Sequence, residues 1–394
     1  MKYYINFLRD KPIIRSLSLV NFIASFGAWF STVAIYTMVV EFGSSEFAIA
    51  IVTAMHFIPA ILIAPFSGSL IDRLRIKPLM VTLLFIELSM TACFLLIETA
   101  SDLWLLLIFI FIRMSAASMF FSSEMSLLAK IATGKDLQTA NEIQSIIWSF
   151  TYAVGMAVSG FIVNLYGVKA AILIDVAIFV LAFFVFLNIK INIEYKKVEE
   201  KILELMIDGL RYIKNNKIIL HLIFLHASVG LTSYDALITI LAKNEYKELI
   251  AVPLAIGLSN AVRAVALMIG PLFLNKIIKK ENLQYLLIFQ GITIIIWAFA
   301  QSNFYLSLGA LFFVGFSTAF LWSYTYALLQ NHCDKRYIGR VISYNDMFFM
   351  LANVLTTLFI GTMAHITTTS IITICLGVAF LFYAYYYTKI YSKI

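Results

Sequence analysis

Charge is scarce in this chain. Asp, Glu, Lys and Arg make up 13% of its 394 residues, against about 25% in soluble domains. With 62% hydrophobic residues and a mean hydropathy of +0.92, that shortage excludes an ordinary water-soluble globule. No single aqueous core could hide so much apolar surface. Proline is also rare, at six residues, so little interrupts long helices. Cys93, Cys333 and Cys375 are scattered, which excludes a disulfide framework and a cysteine metal site. His221 and His226 are five apart, the wrong spacing for a shared metal-binding face. No metal or cofactor is expected. The chain has no glycine-rich phosphate loop of the P-loop type, so ATP is not the expected energy source. No nucleophile–base–acid constellation is visible, and an enzyme is not expected.

What the chain has is long apolar runs. A membrane helix needs ~20 such residues to cross ~30 Å of hydrocarbon. Candidates lie near 15–40, 47–71, 78–98, 103–125, 142–164 and 169–189, then near 218–241, 252–275, 282–301, 304–328, 339–363 and 366–388. The runs are too long for barrel strands and lack strict alternation. Six fall in each half, and short echoes link the halves. Leu127–Leu137 and Leu328–Ile338 share a switch from apolar run to polar, basic loop, and Ala24-Ser25-Phe26-Gly27 matches Ala227-Ser228-Val229-Gly230. The expected fold is an all-α membrane protein of twelve transmembrane helices in two six-helix pseudo-symmetric halves. The halves are residues 1–189 and 218–394, joined by a linker over 190–217. Ile202, Leu205, Met206 and Leu210 recur there at helical spacing, the pattern of an amphipathic helix lying on the membrane or on the bundle. A repeat of this kind places a small-molecule site where the copies meet.

Basic residues are distributed unevenly. Of 29 Lys and Arg, 24 fall on the side that carries both termini and three (Lys169, Lys243, Lys247) on the other. This bias predicts both termini in the cytoplasm, in a multi-pass protein of the cell inner membrane. It also accounts for the net charge of +7 without nucleic acid. The first apolar run is too long for a cleaved leader.

The loop after the second run reads Gly68-Ser-Leu70-Ile-Asp72-Arg73-Leu-Arg75-Ile76-Lys77. It resembles the signature loop of the major facilitator superfamily, with Arg75 where that signature has its second glycine and Ile76 in place of its next arginine. Loss of that glycine resembles the branch of macrolide-efflux proteins and the enterobactin exporter. So do Gly27-Ala-Trp29, Leu137-x-x-Ala140-Asn141, Asp208-Gly209-Leu210-Arg211-Tyr212 and Gly339-Arg340-Val341-x-Ser343. The resemblance implies a major facilitator fold, transport by alternating access, and usually a monomer. It further implies a cytoplasmic gate in which Asp72 caps the helix beginning near Gly339 and Arg340, with Glu124 pairing with Arg73 or Arg75. A topogenic charge loop is the other reading of the same residues.

Charged residues inside the runs are the remaining candidates, because a charge at mid-bilayer costs ~2.5–3.5 kcal/mol even on the mildest scale. Arg113 either faces a cavity or is held by backbone or by Glu87. Burial disfavours an ionised carboxyl, so Glu87, Asp235 and Asp346, with Arg113, are candidates for proton coupling. Asp175 resembles a structural feature of the branch. Arg263 could hold an anion or pair with Asp235. In the superfamily helices 1, 4, 7 and 10 line the cavity, with 2, 5, 8 and 11 beside it. That makes Asn21, Ser25, Trp29, Thr32, Trp148, Tyr152, Ser228, Thr318, Trp322, Tyr326 and Asn353 cavity candidates, together with the two arginines. An aromatic-lined cavity suits bulky amphiphiles. The expected function is proton-coupled efflux of a hydrophobic or amphiphilic small molecule. The expected partners are substrate, protons and membrane lipid. Two alternatives remain open: import of an anionic nutrient or iron compound through Arg113 and Arg263, and lipid or lysolipid transport.

Overall fold

The computed structural model describes residues 2–191, 202–275, 277–334 and 336–393; at 2, 65, 68, 69, 72, 73, 202, 203, 205 and 393 only the backbone is described. Among these residues eleven helices are long and apolar enough to cross a membrane. One of them, Gly134–Leu187, has 54 residues, about 80 Å of helix and far more than a bilayer needs. It turns at Gly167, whose φ of 81° only glycine adopts freely, and so holds two spans. The result is a twelve-span, all-helical fold in two six-span halves.

In order, spans 1 to 4 are Pro12–Glu41, Glu46–Ala54 continued by Ile58–Arg73, Ile76–Cys93, and Leu103–Ile131; spans 5 and 6 share Gly134–Leu187. Span 7 is discontinuous: Lys217–Ala227, a tight turn Ser228–Thr232, then Asp235–Leu241. Spans 8 to 12 are Val252–Leu274, Leu283–Ala300, Phe304–His332, Ile338–Met363 and Thr369–Ile390. Ser45, Asn216, Asn303 and Thr368 cap helices by accepting from backbone N–H groups. Large apolar side chains such as Phe299 and Leu272 stay exposed, as lipid-facing residues do.

Span 1 packs along spans 5 and 6, and spans 5 and 8 join the halves. At that seam glycine is required. A Cβ on Gly257 would lie 2.6 Å from the Met156 carbonyl oxygen, and one on Gly160 would lie 2.7 Å from that of Pro253. The two backbones touch, as small residues allow in membranes. On the other flank span 11 meets span 2, with Gly361 set against Ala50.

The linker helix Ile202–Asn215 docks on the start of span 11. Arg340 Nη1 donates to Asp208 at 2.6 Å, Tyr344 donates to the Met206 carbonyl, and Tyr212 stacks on Tyr337 at 4.2 Å. Gly209 lets the helix in, since a Cβ there would lie 2.9 Å from that of Arg340. Beneath it, Arg336 holds the Asp334 carboxyl below its usual range by side-chain and backbone hydrogen bonds.

Candidate functional site

Four polar clusters lie within or across the bundle. The first is in the N-terminal half. Arg113 Nη2 donates to Asp175 Oδ2 at 3.1 Å, both side chains being almost wholly buried. Ser31 also donates to that carboxylate. The guanidinium lies 5.2 Å from the Phe179 ring centroid and 5.5 Å from that of Phe94, where cation–π attraction operates. Gly27 makes room, because a Cβ on it would strike the Asp175 carboxylate. Asp175 and Phe179, one turn apart on span 6, thus serve the same arginine. Arg113 is satisfied by span 6, not by backbone or Glu87. Glu87 is buried on span 3 within electrostatic range of Arg113, and among the described residues it makes no ion pair.

Glu124, on span 4, is turned into the bundle. It accepts from Gln144 Nε2 at 2.7 Å and Asn21 Nδ2 at 3.2 Å. Asn21 also donates to Gln144, and Ser25 donates to Asn21 at 2.7 Å. The expected partner Arg73 has its side chain outside the described residues, and Arg75 makes no ion pair among them. Gly68 and Asp72 likewise have only their backbones described, so the gate they were expected to form lies outside the described residues. Arg340, placed in that gate from sequence, pairs with Asp208 of the linker. Gly339 has open space around it.

The third cluster crosses the seam at mid-depth. Arg263 Nη2 donates to the Thr232 carbonyl at 2.7 Å, and Nη1 lies 3.8 Å from Asp235 Oδ1 and 3.5 Å from the Tyr152 hydroxyl. Tyr152 donates to Asn260 Oδ1 at 3.2 Å. Tyr234 lies under the guanidinium at 5.3 Å. Thr232 lies within the break in span 7 and Asp235 opens the helix after it, so Arg263 fills a hydrogen-bonding vacancy that the break creates. Trp29, Trp148 and Tyr152 continue this face; the Trp29 and Tyr152 rings are 4.4 Å apart and Trp148 is 49% exposed.

The fourth cluster was missed by sequence reasoning. Glu46, at the start of span 2, accepts from Lys243 at 2.9 Å and Asn244 at 3.4 Å, and lies 3.6 Å from His365. Lys243 also donates to the Ser44 carbonyl, from a widened π turn over Ala242–Tyr246. These contacts join the halves at the end away from the termini. Among the described residues every hydrogen bond and ion pair directly between the halves lies there or at mid-depth. Only the spacing of Glu46 and Lys243 at the ends of their runs could have signalled them.

Other cavity candidates scatter. Thr32, Ser228 and Asn353 bond to carbonyls of their own helices. Thr318 reaches Gln290 of span 9 at 3.4 Å; Trp322 and Tyr326 lie further along span 10. Those two stack at 5.0 Å, and Tyr326 faces the Asp346 carboxylate.

Twelve apolar spans in two halves, with charges buried at the seam, define a membrane transport protein. The chain belongs to the Major Facilitator Superfamily, whose profile matches residues 17–357. It is similar to the crystal structure of the nucleoside transporter NupG, with a TM-score of 0.76 and 12% identity over 96% of this chain and 99% of that one. A bacterial homologue of the human lysosomal transporter Spinster, crystallised inward-facing and unoccupied, gives 0.73 and 12% over 96% and 95%. The occupied form gives 0.72 and 14% over 98% and 97%. No curated protein sequence matches the chain. At these identities the likeness carries the fold; substrate and direction have to come from the chain's own residues.

Proposed function

We propose that this secondary transporter is a proton-coupled exporter of an amphiphilic small molecule, in the branch that its loop motifs resemble. The moving bodies are the halves 1–189 and 218–394, joined by the linker 190–217, in the inner membrane with both termini in the cytoplasm. The observation that carries the reading is the seam cluster. Asp235 shares Arg263 with Tyr152, which comes from the opposite half and also donates to Asn260. A proton on Asp235 cancels its attraction for Arg263. The guanidinium is then held only by the Thr232 carbonyl and by Tyr152 of the opposite half, so the proton on Asp235 sets how far Arg263 relies on the contact between the halves. Each proton moving inward gains ~2.3 kcal/mol per 100 mV.

Import of an anion loses its support, because Arg113 and Arg263 are each already committed to a carboxylate. The test is proton counterflow in proteoliposomes carrying an imposed pH gradient. Asp235→Asn is expected to abolish substrate-dependent proton movement while leaving downhill exchange. Proton-coupled uphill transport that survives in this variant removes Asp235 from the mechanism.

A further inference from the structure

Span 7 has two faces below its break. His221 and Phe224 pack on span 12, against Tyr386 and Tyr383. His226 lies two residues beyond Phe224, about 200° around a helix, and so turns the opposite way, between spans 10 and 11. Its imidazole lies 5.8 Å from Trp322, 5.4 Å from Tyr326 and 5.4 Å from Phe349. The hydrogen-bond network fixes its tautomer. Thr325 Oγ1 already donates to the Leu321 carbonyl at 2.6 Å, so at its 2.8 Å contact with His226 it accepts from Nδ1–H. Nε2 is therefore a bare acceptor. It is fully buried and has no partner. A buried acceptor left unmade is destabilising, and a ligand's donor would satisfy it.

Beside it stands Asp346, half-buried, touching Asn345 and Tyr326 but no basic side chain among the described residues. Trp322 is 40% exposed and presents a ring face stacked on Tyr326. The composition of this cluster is selective: two electron-rich rings, a phenyl ring, a lone-pair nitrogen and an unpaired carboxylate. Every polar group that is not already committed seeks positive charge or a donor. The equivalent wall of the other half has the same sign. Thr325 follows Glu124 by the 201 residues that separate Leu127 from Leu328, and Glu124 too has only amide partners.

We propose that His226, Trp322, Tyr326, Phe349 and Asp346 form a binding site for a planar aromatic cation carrying an N–H donor. This assignment rests on the transport reading above and names its substrate class. The ring system stacks on Trp322, the cationic nitrogen meets Asp346, and the N–H donates to His226 Nε2.

Three dyes test it by equilibrium binding to the purified full-length protein in nanodiscs, read by quenching of tryptophan emission. They are ethidium (a cation with amino donors), phenanthridine (the uncharged parent ring) and anilinonaphthalene sulfonate (an anion). Saturable ethidium binding is expected, tighter than phenanthridine by at least about tenfold, with no saturable binding of the anion. Asp346→Asn, Trp322→Leu and His226→Phe are each expected to weaken ethidium by about tenfold or more, provided each elutes as a monodisperse peak; His226→Gln, which restores an acceptor, is expected to weaken it less than His226→Phe. The site is overturned if ethidium does not saturate, if the anion binds as tightly, or if Asp346→Asn and Trp322→Leu leave its affinity unchanged. Transport failing while ethidium binds as described overturns only the transport reading. Proton-coupled transport of another compound that is indifferent to Asp346 and Trp322 overturns only the site.

Discussion

Replacing Asp175 by asparagine keeps the size of the side chain and removes the carboxylate that touches Arg113. The guanidinium stays behind, nearly enclosed between spans 4 and 6, with Phe94 and Phe179 over its faces. Breaking a buried ion pair by removing one partner costs about 3–5 kcal/mol. A lone charge inside a membrane costs at least ~2.5–3.5 kcal/mol. Glu87 lies in electrostatic range on span 3 and offsets part of the loss, so about 3 kcal/mol is expected. That is a large share of the 5–15 kcal/mol by which folded proteins exceed their unfolded states. Arg113→Met is expected to cost a similar amount by stranding Asp175. The double variant Arg113→Met with Asp175→Asn buries neither charge and is expected to recover most of the loss. Ser31 keeps an acceptor in the new amide oxygen. The assay is thermal unfolding of the four proteins in one detergent, read by the monodisperse fraction after heating. An Asp175→Asn protein as stable as the parent refutes the reasoning. So does a double variant no better than either single one, because the coupling energy would then be absent.

Three further outcomes follow from contacts elsewhere. Glu46→Lys is expected to loosen the end away from the termini, and the charge swap Glu46→Lys with Lys243→Glu to restore it, read by cross-linking of cysteine pairs placed on spans 2 and 11; equal cross-linking in all three proteins counts against the contact. Gly257→Val forces a side chain into the Met156 carbonyl and is expected to cost about 1–3 kcal/mol of stability by overpacking, with slowed transport, whereas the same change at Gly309, which has open space around it, is expected to change neither. Gly209→Val collides with Arg340 and is expected to lift the linker helix, seen as faster proteolysis of the linker.

Much of the fold was legible because lipid constrains it so tightly. Twelve apolar runs emerge from length and composition, and the observed spans begin and end within several residues of them. The linker helix was readable from Met206 and Leu210, but its berth was not, since Tyr337, Arg340 and Tyr344 lie on a span more than 120 residues away. Asp208, Gly209 and Tyr212 had drawn notice as a motif. Each now has a physical role, as ion-pair partner of Arg340, as the gap that admits it, and as the ring stacked on Tyr337. Arg113 is the converse case. A helical wheel groups it with Ala116, Phe120 and Glu124, yet its partner comes from span 6, and no pattern within span 4 reports what another span presents.

Span 7 shows why a helical wheel misleads at a functional seam. On one straight helix Phe224, Ser228, Leu231 and Asp235 would share a single stripe. The chain breaks between Ala227 and Asp235, so the stripe does not exist: Phe224 packs outward on span 12, and Asp235 opens a new helix beside Arg263. No proline marks the break. It persists because Gly230 presses on the backbone of Asn353 and because Arg263 takes the Thr232 carbonyl. In lipid a freed carbonyl must find a donor, and here the donor is a charged residue from the neighbouring span. A break held by an arginine that also faces a carboxylate links backbone shape to charge: whatever draws Arg263 from Asp235 also bears on the turn at Thr232. The turn at Thr232 and the Asp235 carboxylate are therefore tied through one guanidinium, and replacing Arg263 by lysine, which keeps the charge but not the two-handed geometry, should uncouple them.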